Sequence, residues 1–583
     1  MKKTKSFSGK FLKTFLLLLI PVLVVTTIYI FKAKAQTGDV ENISTYVTVG
    51  NTAPVFDVIP KEVTQSIYTS PVTMGNPISF NATATDPNGE NYYLIVCSTN
   101  SVSGSASGGA PTCGGKGYCV SSSTTSGSQA SCTYTTEGTD PAQYDPWENP
   151  WYAFVCDTYS GSGGSKCSSS SQGSGGSGSP FYVNHPPAFD SISTSPVQPA
   201  NINPGQSITW TATASDSDID NEPTHSEVNG VKLLVCKSAG ISNGACTGDE
   251  WCHTDLVTTA TASCSSGTIG APAAAGARDA YVYILDYFNT EATGTIHGTK
   301  TSSSFSINNV APTVTYVTLN SGNDITLTES STKAVTITAQ VSDNNGCSTL
   351  SNVKASLYRS SIGYAGCSAL DGNNCYPELT CTTSNCTSIT ADYTCTANMQ
   401  YYADPTDTGS KFASDNWLTT VKATDTGSLS GNAQVTTGVE VAKLVAFSIS
   451  PNNITYGNVG AGVSIPLTIA LTTRATGNVG INQTHHADSQ TPYMCTNYSS
   501  CTGGTPISIT KQQYSMTSGT AYGSGTSLST SPATVLLKIK KPISSTAQQK
   551  NTYWGIEVPS GTVAGSYQGQ NIITAVMSAT SDW

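Results

Sequence analysis

The sequence predicts an all-β protein made of tandem β-sandwich modules, and three observations carry that prediction. First, three stretches alternate apolar with polar residues and end at an aspartate: ISFNATATD (78–86), SITWTATASD (207–216) and AVTITAQVSD (334–343). Second, two further landmarks recur in the same order around each of them. Third, charged residues make up only 11% of the chain and hydrophobic ones 37%, with Ser, Thr, Gly and Asn filling much of the rest. That mixture suits half-buried sheets and long loops better than helices.

In the first stretch Ile78, Phe80, Ala82 and Ala84 fall on one face, and Ser79, Asn81, Thr83 and Thr85 on the other. Ile208, Trp210, Ala212 and Ala214 repeat the pattern, as do Val335, Ile337, Ala339 and Val341. A period of two with one apolar face describes a strand packed on a core from one side. The second landmark is WYAFVCDTY (151–159), AYVYILDYF (280–288) and WLTTVKATD (417–425), strands ending at or near Asp157, Asp286 and Asp425. The third is the junction NTAPVFD (51–57), NHPPAFD (184–190) and NVAPTVT (309–315). Measured between Pro54, Pro187 and Pro312, the repeats are 133 and 125 residues long, the size of one sandwich with its loops. Proline at each boundary stops edge pairing and stiffens the joint. The expected modules are therefore 53–185, 186–310 and 311–443, with 36–52 as a linker. A fourth module, 444–583, lacks the early strand-aspartate landmark but remains strand-like. Val463, Ile465, Leu467, Ile469 and Leu471 alternate there, and TVLLKIKKP and the stretch from Tyr553 to Val576 supply later strands.

Residues 1–35 stand apart. Five lysines precede the apolar run Thr14–Phe31, and KAKAQ places Ala33 and Ala35 in the small-x-small pattern that signal peptidase accepts. The expectation is a signal or signal-anchor helix, with cleavage before Gln36 favoured over a retained anchor; either exports the rest. Contact with a membrane is expected only through residues 14–31, and only if the leader stays. The end of the chain, SATSDW, carries no sortase-type motif or apolar tail, so wall attachment by that route is not expected. All seven lysines of the leader leave with it. The exported chain then has 19 basic residues against 37 acidic ones, a net charge of −18. Such a surface repels nucleic acid and attracts divalent cations, so no nucleic-acid partner is expected.

Eighteen cysteines in an exported chain read as disulfides. The stretch ACTGDEWCH (245–253) suggests a haem site, but five residues separate its thiols where a c-type haem needs two. Cys97, Cys113, Cys119 and Cys132 align with Cys236, Cys246, Cys252 and Cys264, and the His after Cys252 has no counterpart. Three connectivities exist for each set of four. The nested one is expected: Cys97–Cys132 and Cys236–Cys264 across strands, with Cys113–Cys119 and Cys246–Cys252 closing small loops. Cys156 with Cys167, and Cys495 with Cys501, are expected as local staples. Cys347, Cys367, Cys375, Cys381, Cys386 and Cys395 allow fifteen pairings, which stay open.

The N-x-A-P-x-F joints, the strand end ATATDPNGE and the segment VPSGTVAGSY resemble the tandem immunoglobulin-like and cadherin-like domains of prokaryotic surface proteins. In their Ser/Thr/Gly-rich, cysteine-stapled form they are similar to surface proteins of candidate-phyla-radiation bacteria. The resemblance covers most of residues 50–583. It implies an extracellular, cell-surface location and a role as surface layer, adhesin or stalk.

The sharpest chemical motif is DSDIDNEPTHSE (216–227), with Asp216, Asp218, Asp220, Glu222 and Glu227 at positions 1, 3, 5, 7 and 12 of a calcium-loop pattern. Asn221 replaces the EF-hand glycine and no helix flanks it, so it is not an EF-hand. Hard oxygen donors at a strand end beside a domain boundary remain candidate ligands for a structural Ca2+, the one cofactor expected. Asp86, Asn88 and Glu90 form a thinner version. The competing reading is a solvated acidic turn. His485 and His486 near Asp488 read either as metal ligands or as simply exposed, and Trp147 and Trp151 either as a sugar platform or as core packing. No motif of a hydrolase, metalloprotease or phosphate-binding loop occurs, so an enzyme is not expected. The functional expectation is a structural cell-surface protein that assembles with itself into a layer or filament; the alternative is an adhesin for glycan or a host cell.

Overall fold

A computed structural model describes residues 43–141, 149–218 and 230–583. The expected leader, Trp147, Asp220, Glu222 and Glu227 lie outside the described residues. Among the described residues no helix is long and apolar enough to cross a membrane. The chain from Ala53 onward is a series of β-sandwiches with four main apolar cores, drawn in turn from residues 56–183, 189–307, 314–444 and 447–583.

Module 1 shows how the alternation becomes a core. Strand Pro77–Thr85 pairs antiparallel with Val55–Glu62 on one side and Gln129–Thr135 on the other. It buries Ile78, Phe80, Ala82 and Ala84 and turns the intervening polar residues outward. The facing sheet is Gly117–Val120, Tyr92–Cys97 and Tyr152–Asp157. Val183–Asn184 returns to pair in parallel with Val72–Thr73, closing the sandwich. Module 2 repeats the plan with Ala188–Ser195, Thr209–Ser215 and Thr261–Ser265 facing Glu250–His253, Lys232–Cys236 and Tyr281–Leu285. Trp151 and Trp210 are both fully buried, each against a phenylalanine. The structure thus gives Trp151 to the core, where it cannot stack on a sugar.

In module 3 seven strands form one hydrogen-bonded order, because Cys375–Thr383 pairs with Thr390–Gln400 and with Leu350–Arg359. Module 4 sets the five-stranded sheet around Ile469–Ala475 and Gln549–Ile556 against Ala533–Ile539, Ile481–Ala487 and Asn571–Met577. Its core is built on Trp554, on which His485 stacks at 5.3 Å between ring centres. His485 is fully buried, whereas strand alternation carries His486 to the opposite face. The two rings therefore do not share a site.

All eighteen cysteines are paired, and the nested pattern is corrected. The bonds are Cys97–Cys113, Cys119–Cys132, Cys236–Cys246 and Cys252–Cys264. Strand parity is the reason. On Tyr92–Cys97, Leu94 and Val96 face the main core, while Ile95 and Cys97 face a small outer cluster with Phe154 and Cys113. Cys132 faces the main core with Ala130 and Tyr134. A Cys97–Cys132 bond would have to cross its own sheet. Module 2 repeats this, with Cys236 in an outer cluster beside Cys246 and Cys264 in the main core beside Cys252. Cys156 joins Cys167 and Cys495 joins Cys501. The six cysteines of module 3 pair as Cys347–Cys386, Cys367–Cys375 and Cys381–Cys395. Nine disulfides and no free thiol mark a protein of an oxidising, extracellular compartment.

Two buried groups give modules 1 and 4 opposite responses to pH. Glu62 is 1% exposed, accepting from the Ser66 backbone N–H at 2.7 Å and from the Trp151 indole at 3.4 Å. Burial pushes its carboxyl from 4.5 up to about 8. Below pH 4.5 both folded and unfolded states hold the proton. As pH rises toward 8 the unfolded chain ionises first, so this group's stabilisation is lost. Burial pulls His485 from 6.5 down to about 4, so its contribution is present above pH 6.5 and is lost as pH falls toward 4. Hydrogen exchange resolved by module should show module 1 opening more readily at pH 9 than at pH 5, and module 4 more readily at pH 4 than at pH 7. Glu62→Gln should flatten the first response and leave the second unchanged.

Candidate functional site

In modules 1 and 2 the two aspartate landmarks lie at the ends of strands from opposite sheets. In module 1 Asp86 follows Pro77–Thr85, Asp157 closes Tyr152–Asp157, and Glu90 stands in the turn before Tyr92. One carboxyl oxygen from each lies within 4.8 Å of the others. Asp86 is 3% exposed. Its Oδ1 accepts from the backbone N–H groups of Asn88 at 2.7 Å and Glu90 at 3.4 Å. Its Oδ2 is buried without a hydrogen-bond partner, and so is Glu90 Oε2. Asp157 accepts from the N–H groups of Tyr159 and Lys166, both at 3.0 Å. Desolvation, reinforced by the charges of Asp86 and Asp157, holds the Glu90 carboxyl above the usual range. Of the residues expected here, Asp86 and Glu90 come together, while Asn88 is exposed and supplies its backbone N–H. Asp157, the third carboxylate of the cluster, carried no expectation of metal binding, although its place at the end of a repeated strand was the available signal.

Module 2 uses the same positions differently. Asn184 Nδ2, at the end of module 1, donates to Asp286 Oδ2 at 2.6 Å and to Thr290 Oγ1 at 2.8 Å. The next residue, His185, donates its backbone N–H to Asp218 Oδ2 at 2.5 Å, and its Nδ1 lies 2.8 Å from Asp218 Oδ1. That contact raises the His185 pKa above the ordinary histidine value. Asp216 accepts from the Asp218 N–H at 3.0 Å, and burial pushes its carboxyl up to about 7. The structure thus places Asp218 in the joint between modules 1 and 2.

The joint between modules 2 and 3 has the same design. Asn309 Nδ2 donates to Asp425 Oδ2 at 2.8 Å, and the Val310 N–H donates to Asn345 Oδ1 at 2.7 Å. Asn345 also donates to the carbonyls of Ala273 and Asn308, both at 2.9 Å. In each clasp a joint asparagine holds the later strand-end aspartate. The residue after it donates its backbone N–H to the side chain two places beyond the earlier aspartate. Four places beyond that aspartate stand Glu90 in module 1, Asp220 in module 2 and the disulfide-bonded Cys347 in module 3.

The third joint is wider. Lys541, 4% exposed, reaches from module 4 to within 3.1 Å of Asp404 Oδ1 and donates to Asn373 Oδ1 at 2.8 Å. Arg359 Nε lies 3.3 Å from Asp404 Oδ2, and the guanidinium also pairs with Asp415. Asn373 Nδ2 donates to the Ile543 carbonyl at 2.8 Å. Asn478 Oδ1 accepts from the Leu444 N–H at 2.6 Å, and Thr476 donates to Glu329 at 2.6 Å.

Together the sandwiches, disulfides and joints define a disulfide-stapled array of tandem immunoglobulin-like modules. No protein-family model and no characterised sequence matches the chain. Among solved structures it is similar to protocadherin gamma B2 extracellular cadherin domains 3–6, at 12% identity over 75% of this chain and 88% of that one, with a TM-score of 0.26. A structure reported as insight into host cell surface retention of a 1.5-MDa bacterial ice-binding adhesin aligns at 10% identity, covering 67% of this chain and 99% of that one, with a TM-score of 0.19. A marsupial T cell receptor aligns at 8% identity, covering 65% and 99%, with a TM-score of 0.24.

Proposed function

We propose that this chain is a structural protein of the cell surface, a component of a self-assembling surface layer whose modules bear load. The observation that supports this reading most is the clasp built twice at successive joints, followed by a buried ion pair at the third. Each fixes one module on the next through groups withdrawn from water, where an electrostatic contact weakens less with salt than at the surface. Disulfides add resistance outside the cell, each worth roughly 2–4 kcal/mol in favourable cases.

Calcium is the cation proposed for Asp86, Glu90 and Asp157. Three converging carboxylates need neutralisation, Asp86 Oδ2 is buried and unpartnered, and hard oxygen donors select Ca2+ over softer metals. Electron microscopy of residues 36–583, purified under oxidising conditions with calcium and then chelator, tests the reading. Sheets or filaments that dissolve in chelator are expected. Monomers in both conditions would overturn self-assembly and put an adhesin in its place.

A further inference from the structure

One edge strand of module 4 is long, apolar and uncharged. Asn571–Met577 lies at the end of its sheet, paired only with Ile481–Ala487 in an unbroken seven-residue register. Five of its residues, Ile572, Ile573, Ala575, Val576 and Met577, are apolar, and none of the seven is buried. It contains no charge, no proline and no bulge. Elsewhere Val55–Glu62 carries Pro60, Lys61 and two register breaks, Ala188–Ser195 and Thr313–Leu319 are bulged, and Ala533–Ile539 holds Lys538 at φ +50°. Edge strands left long, apolar and uncharged are templates for another strand.

The chain also holds a strand-like segment that belongs to no sheet. Residues 43–49, ISTYVTV, consist entirely of β-branched, aromatic and serine residues. They are assigned to no strand, and Ile43, Tyr46, Val47 and Val49 are 74–93% exposed. Their length equals that of the open edge. Charge favours the match: residues 36–185 carry eleven acidic and three basic residues, whereas 444–583 carry three acidic and six basic.

We infer that residues 43–49 of one copy add as an extra strand to the open edge Asn571–Met577 in module 4 of a second copy. Main-chain hydrogen bonds would supply the affinity, and the alternating apolar side chains the register. This contact is head-to-tail, so it propagates into a filament or the rows of a layer instead of closing as a dimer. It rests on the self-assembling surface-layer reading and supplies that reading with an interface.

The test uses two variants of the exported chain 36–583. Val47→Asp with Val49→Asp spoils the added strand; Thr574→Lys with Met577→Lys charges the edge at its two exposed positions. Sedimentation velocity should show concentration-dependent polymers for the unaltered chain, weakened by salt, and monomers for each variant alone. An equimolar mixture of the two should fail to polymerise, because the one productive pair joins the intact segment to the intact edge and stops. It should give dimers at least about tenfold tighter than either variant's self-association. Circular dichroism of each variant should match the unaltered chain. Polymers that persist in both variants would overturn the strand contact while leaving self-assembly standing. A mixture that stays monomeric would also overturn it, and an unaltered chain that stays monomeric would overturn both.

Discussion

Replacing Lys541 by methionine is expected to uncouple module 4 from module 3. The ammonium is 4% exposed and lies 3.1 Å from Asp404, itself 5% exposed. Removing one member of a buried ion pair leaves the other charge without its partner, at a cost of about 3 kcal/mol or more. Arg359 remains 3.3 Å from Asp404 and softens the loss. In calorimetry, modules that melt together should separate into distinct transitions in Lys541→Met. Adding Asp404→Leu should restore most of the coupling, because an apolar replacement of both partners leaves no stranded charge. Coincident melting of Lys541→Met and the unaltered protein would show that the pair does not hold the joint.

Calcium should raise the stability of module 1, and Asp86→Asn should abolish the response. At calcium one hundred times its dissociation constant, binding to the folded state alone contributes about 2.7 kcal/mol. The variant has a second, opposite signature. Without calcium the three carboxylates of Asp86, Glu90 and Asp157 repel one another, and the amide removes one charge while Oδ1 still accepts from Asn88. Asp86→Asn should therefore exceed the unaltered protein in stability in chelator and fall below it in calcium. Hydrogen exchange of module 1 in the two conditions reads both effects. A calcium response that survives Asp86→Asn would remove this carboxylate from the site.

What the sequence made legible followed from period-two alternation and its punctuation. Pro77–Thr85, Thr209–Ser215 and Thr332–Ser342 lie where Phe80, Trp210 and Ile337 mark a one-sided apolar face. The disulfide pairing was misread although the same periodicity held the answer. Cys97 shares its parity with Ile95, and the two point away from the face that holds Cys132. The clasps were half legible: Asn184, Asn309, Asp286 and Asp425 all stand in repeated landmarks, but only folding brings residue 184 beside residue 286. Lys541 gave no sign at all. In KIKKP it looks like its neighbours Lys538 and Lys540, and its burial comes from a module whose contacting residues lie more than a hundred positions earlier.

The most direct test of the structural reading is cryo-electron tomography of the cells that make this protein, with module 4 labelled by antibody. An ordered coat containing the label, which a calcium chelator strips from the cell, is the expected result. Label at sparse, isolated points, unchanged by chelator, would contradict it.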